Sequence, residues 1–66
     1  MKPDPELVDE LRKYPEGTAL IRYRIAQGEP RVWAVGALHG FDDAKTLRRH
    51  LRKWIPSAEF LGYATK

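Results

Sequence analysis

The residues best placed to do chemistry lie in the stretch DDAKTLRRHLRKW, from Asp42 to Trp54. Lys45, Arg48, Arg49, Arg52 and Lys53 follow two aspartates there with no further acid among them. The chemistry they offer is anion binding. A guanidinium is a planar fork of donors that matches phosphate or carboxylate, and a run of cations on one helix face suits a polyanion better than a single small ligand. A solvated helix surface ordinarily mixes Glu with Lys. Here Lys45–Arg49, Arg48–Arg52 and Arg49–Lys53 are like-charge i,i+4 pairs, each unfavourable by about 0.2–0.5 kcal/mol. A polyanionic partner would offset that repulsion. The plainer alternative is a structural helix whose long basic stems cover apolar neighbours, with the last cations complementing its C-terminal dipole.

Other chemistries find little support. The chain has no cysteine, so it offers neither a disulfide framework nor a thiolate metal site. His39 and His50 stand eleven residues apart without further ligands, a poor start for a metal site. Asp42-Asp43 reads as a helix cap rather than a catalytic pair, and His39-Gly40 as a turn. No nucleophile–base arrangement, helix-turn-helix, zinc knuckle or glycine-rich phosphate loop can be recognised. The expectation is a protein that is not an enzyme and needs no cofactor or metal.

Size and charge narrow the partners. Sixty-six residues suffice for a single domain spanning 1–66, with a core small enough that stability is marginal unless a partner helps. No apolar run approaches the roughly 20 residues of a membrane span, and the start MKPDPELVDELRK lacks the apolar centre of a signal peptide, which points to a cytoplasmic protein and no membrane partner. The net charge of +3 is unevenly spread. Residues 1–17 carry three cations against five acids, and residues 18–66 carry nine against four. Such polarity is an argument about partners and encounter, not about fold.

The elements that must position the cations follow from local signals. Asp4 and Pro5 form a helix start, and Leu7, Val8, Leu11 and Tyr14 recur at helical spacing until Pro15 ends the helix. PEGT is a turn. TALIRYRIAQ, from Thr18 to Gln27, alternates and is rich in β-branched and aromatic residues, as a strand requires; RVWAVGAL, from Arg31 to Leu38, reads as its antiparallel hairpin partner. Pro30 cannot donate the bond that would close a two-residue turn at Gly28-Glu29, which favours a loop of about four residues with Ala26 opposite Arg31. That register puts Ile21, Tyr23, Ile25, Val32, Ala34 and Leu38 on the core face and Arg22, Arg24, Arg31 and Trp33 together on the other. A one-residue slip would move Trp33 and Val35 to the core side. Asp42 or Asp43 then caps a second helix running to about Trp54, before Pro56. On it Ala44, Leu47, Leu51, Trp54 and Ile55 fall within about 100° of arc, the cations fill one flank, and Thr46 and His50 the other. AEFLGYAT makes a third strand, with Leu61 and Tyr63 alternating against Phe60.

The result is an α+β domain of order α-β-β-α-β: a three-stranded sheet containing an antiparallel hairpin, with two helices packed against it. The ββαβ part, over roughly residues 18–65, resembles several small phage-encoded proteins in its hairpin, acid-capped helix, proline and last strand. That resemblance implies a regulatory protein that docks on another protein. From the residues themselves the expectation is a small basic binding module. Its surface is Lys45, Arg48, Arg49, Arg52 and Lys53, extended by Arg22, Arg24, Arg31 and Trp33, where cations and an indole suit bases or guanidinium groups. The first expected partner is nucleic acid, DNA or RNA, or a nucleoprotein; the second is an acidic protein surface, engaged as an adaptor, inhibitor or subunit. Apolar residues on both sheet faces, Leu20 and Val35 among them, further suggest a homodimer or a larger complex.

Overall fold

The computed structural model describes residues 2–36 and 43–65. The first helix, α1 (Pro5–Glu10), begins where Asp4 Oδ1 accepts the N–H of Glu6 at 2.9 Å and Pro5 occupies the first helical position. It tightens into a 3₁₀ turn over Leu11–Lys13 and stops at Tyr14, which is extended because Pro15 follows. Pro15 O accepts the N–H of Thr18 at 3.3 Å, and Gly17, at φ 87°, supplies the positive dihedral that a type II turn needs at that position. The second long segment, α2 (Ala44–Trp54), starts at Asp43, whose Oδ1 accepts the N–H of Thr46 at 2.8 Å. Thr46 Oγ1 donates to the same carboxylate oxygen at 2.9 Å. The expected turn at His39-Gly40, the alternative cap Asp42, and Leu38 lie outside the described residues.

Three strands, β1 (Ala19–Ile25), β2 (Arg31–Val35) and β3 (Ala58–Thr65), form an antiparallel sheet in the order β2-β1-β3. The α-β-β-α-β order and the α+β class follow the sequence patterns. The hairpin register does not. Ile25 O accepts the N–H of Gly28 at 2.9 Å around Ala26 and Gln27, both at positive φ (50° and 62°), so a two-residue type I′ turn forms two positions earlier than Gly28-Glu29. Pro30 interrupts the ladder, which resumes at Tyr23 opposite Arg31, and Ile21 faces Trp33. Compared with Ala26 opposite Arg31, the strand has slipped by three residues. Three is odd, so every β2 side chain changes face.

Trp33, Val35 and Arg31 therefore share the face of Ile21 and Tyr23, while Val32 and Ala34, expected in the core, are exposed on the opposite side with Arg22 and Arg24. The sheet lies between the helices. Leu7 and Leu11 of the α1 segment pack on Leu20 and Ala64, and Leu47 and Leu51 of α2 pack on Ala19, Ile21, Val35 and Tyr63. Leu20 and Val35 are thus both buried within one chain, Leu20 by α1 and Val35 on the α2 side.

β3 contains one irregularity that reorders a face. Arg22 pairs with Gly62 but Tyr23 pairs with Phe60, so Leu61 is an extra residue, a β-bulge beside a glycine. Phe60 moves onto the same side as Tyr63, their ring centroids 6.2 Å apart, instead of alternating with it. Gly62 has a second use, because a Cβ there would stand 3.0 Å from Asp4 Oδ2. Its bare backbone lets the start of α1 settle on the sheet, where Asp4 N–H donates to Tyr63 O at 2.8 Å.

Candidate functional site

The nine residues expected to bind a polyanion are divided by the sheet into two groups. Arg22 and Arg24 lie on the α1 side and are neutralised there. Arg22 reaches Asp4 Oδ2 at 3.3 Å and Glu6 Oε2 at 3.4 Å, with its side chain about three-quarters buried. Arg24 sits directly across from Glu59 and grips it with two bonds, Nε to Oε1 at 3.2 Å and the terminal nitrogen to Oε2 at 3.1 Å. Both arginines join elements of the fold, α1 to the sheet and β1 to β3. They do not extend the basic helix.

The other group lies on the α2 side. Lys45, Arg48, Arg49, Arg52 and Lys53 are all exposed, and none forms an ion pair among the described residues. Their positions follow from helix geometry: with Leu47 and Leu51 buried against the sheet, residues at 45, 48, 49 and 52 turn to one flank and outward. Lys45, Arg48, Arg49 and Arg52 line one shallow depression in the helix surface. A second hollow, between α2 and β3, is bordered by Arg48, Arg52, Glu59 and Phe60. Arg48 stands over the Phe60 ring with its guanidinium carbon 5.0 Å from the centroid, a cation–π contact at the border of this hollow. That contact depends on the β3 bulge, without which Phe60 would face α1.

The opposite flank of α2 carries a different chemistry. His50 stacks on Trp33 at 5.1 Å between centroids with 26° between planes, and Trp54 is tilted against His50 at 6.3 Å. Lys53 Nζ lies 5.9 Å from the Trp54 centroid. Removal from water, aided by the positive charge of Lys53, lowers the pKa of His50 from the ordinary imidazole value. Asp43, at the start of the helix, is held below the usual carboxylate range chiefly by the Thr46 backbone N–H and then by the Thr46 hydroxyl.

Trp54 corrects the sequence reading. It belongs to the apolar arc by angle, yet it is 62% exposed, the most exposed large apolar side chain among the described residues. The α2 core contact is made by Leu47 and Leu51, and Trp54, at the last helical residue, turns to solvent. Phe60 and Trp54 are the residues that sequence reasoning omitted from the site. An adjacent lysine and a position at the helix end were the available signs for Trp54, and Gly62 was the sign of the bulge for Phe60.

Among the described residues no group of three or more His, Cys, Asp or Glu is placed to hold a metal, and no helix is long and apolar enough to cross a membrane. No protein-family model, curated protein or solved structure matches this chain. The resemblance to small phage-encoded proteins therefore rests on element order and the pattern of hairpin, acid-capped helix, proline and last strand, with no shared motif.

Proposed function

We propose that the chain is a non-catalytic binding module that presents the basic face of α2 to nucleic acid. The observation that carries this is the contrast in neutralisation. Arg12, Lys13, Arg22 and Arg24 all form ion pairs with acids, whereas the five cations of α2 form none among the described residues. Unpaired like charges on one helix cost stability, and phosphate neutralisation with release of counterions returns it on binding.

The test is a salt series with fluorescently labelled DNA. If Lys45, Arg48, Arg49 and Arg52 meet about four phosphates of a duplex, log affinity should fall against log salt with a slope of about −3.6. The double variant Arg48→Ala with Arg52→Ala should flatten it by about 1.8 without change in helical content, since both side chains are exposed and alanine is the best helix former. If the variant keeps its affinity but melts well below the parent, those side chains are stabilising the fold and the proposal fails. Tight binding to an acidic protein surface together with none to DNA or RNA would favour an adaptor or inhibitor instead. Self-association is proposed on a changed basis. With Leu20 and Val35 buried, the surface proposed for a second copy is the edge strand β2 at Val32, which is 49% exposed. Sedimentation at micromolar concentration, with Val32→Lys as the probe, tests it.

A further inference from the structure

Nothing in the cationic flank explains the other side of α2. Arg31 and Trp33 stand two residues apart on one face of the edge strand β2, and the Trp33 ring is stacked on His50, which touches Trp54, which is flanked by Lys53. Three rings thus form a connected row from the sheet edge to the end of the helix, with an exposed cation at either end. The row ends in an indole left mostly in water, although burying such a side chain is among the largest apolar gains open to a small domain. A phosphate-binding helix needs no such ring. An exposed aromatic face beside cations suits a ligand that alternates flat rings with negative charges.

We infer that this row is a stacking platform for the unpaired bases of single-stranded nucleic acid, Trp54 receiving a base while Lys53 and Arg31 meet the flanking phosphates. The inference rests on the nucleic-acid reading above and narrows it. Bases in a duplex offer their edges to a groove and keep their faces within the stack, so an aromatic plane can take a base only from a single strand, a loop or an end. Trp33 and His50 serve a positioning role: their mutual stack fixes His50, and His50 borders Trp54, so the indole is held at the end of the row. The sheet supplies Arg31 and Trp33 because the hairpin register turns both toward α2. In the register expected from sequence they would have faced away from it.

The chain has two tryptophans, both in this row, so its intrinsic fluorescence reads the platform directly. Titration with a twelve-residue oligothymidylate at fixed salt should quench that emission, and a hairpin-free duplex of equal charge should quench it far less. Trp54→Ala should abolish most of the quenching and weaken oligothymidylate binding about tenfold, as expected for the loss of one base stack. Trp54→Phe should recover part of that affinity. Duplex binding should weaken far less than oligothymidylate binding in both variants, and circular dichroism should show the parent fold because the side chain is largely exposed. If Trp54→Ala binds oligothymidylate as tightly as the parent while Arg48→Ala with Arg52→Ala still loses affinity, the helix binds phosphate alone: the stacking platform is wrong and the nucleic-acid reading stands. Failure of the parent to bind any oligonucleotide overturns both. Polyglutamate that binds as tightly as oligothymidylate and is equally insensitive to Trp54→Ala would also overturn both, pointing to an acidic protein surface.

Discussion

On the α1 side of the sheet Arg22 sits between Asp4 and Glu6 and Arg24 grips Glu59, whereas on the α2 side Arg31, Lys45, Arg48, Arg49, Arg52 and Lys53 form no ion pair among the described residues. The two regions use one residue type for two purposes. Where the chain supplies carboxylates within reach, arginine is a strut that closes α1 onto the sheet and joins two strands. Where it supplies none, arginine stays exposed without an ion pair among the described residues, and the proposed nucleic-acid face rests on that difference. Residue type alone therefore does not tell whether a cation is paired within the fold; the carboxylates that the tertiary structure brings within reach do. Arg24 has Glu59 opposite it, and Arg22 has Gly62 opposite it, which makes room for the carboxylate of Asp4.

The strongest way to stress this contrast is to damage one face and ask whether the other notices. Leu20→Ala empties a fully buried position beneath α1 and should cost about 2–5 kcal/mol in urea unfolding, a large part of what a domain of this size commands. Where the variant is still folded, the salt slope for DNA should equal that of the parent. A slope that changes with Leu20 would mean that the two faces are not independent.

A smaller loss should come from Arg22→Ala. Its guanidinium is largely buried and Asp4 would be left beside the sheet without its cation, so a destabilisation of about 1–2 kcal/mol is expected. Nucleic-acid affinity should not move. Weaker binding in this variant would return Arg22 to the binding surface and dissolve the contrast between the faces.

The hairpin permits a change in the favourable direction. Ala26 and Gln27 occupy left-handed backbone positions that Asn and Gly adopt more readily, and Ala26→Asn with Gln27→Gly should add about 1 kcal/mol by the same unfolding measurement. This variant is also a useful background for the destabilised ones. A loss of stability would show that the turn carries strain for another reason.

The smallest effects are in pH dependence. His50 has a lowered pKa in the folded protein, so the unfolded chain binds its proton first. Its contribution to stability is complete above about pH 6.5 and is lost as pH falls toward the depressed folded value. Asp43, also lowered, contributes above the ordinary carboxylate pKa and loses that contribution at still lower pH. Thermal melts should therefore decline in two acid steps. His50→Phe should remove the upper one, and Asp43→Asn, which keeps a capping oxygen, should weaken the lower.

Much of this architecture was readable locally, because caps, prolines and periodicity act over a few residues. Asp4-Pro5, Pro15-Glu16-Gly17-Thr18, Asp43 and the alternation from Ala19 to Ile25 each state their own structure through a hydrogen bond or a dihedral within one turn of chain. The cationic flank was readable in the same way, since Leu47 and Leu51 orient the helix and the remaining positions follow at 3.6 residues per turn. What only the folded chain decided is pairing between strands. A three-residue slip beside Pro30 moved Arg31 and Trp33 to the α2 side, and the extra residue at Leu61 brought Phe60 beneath Arg48. Side chains alternate with a period of two along a strand, so an odd offset in register inverts a face without altering any local pattern. Trp54 was decided by the same global geometry. Its helical angle fits the buried stripe, but solvent, not the sheet, surrounds most of it at the end of α2.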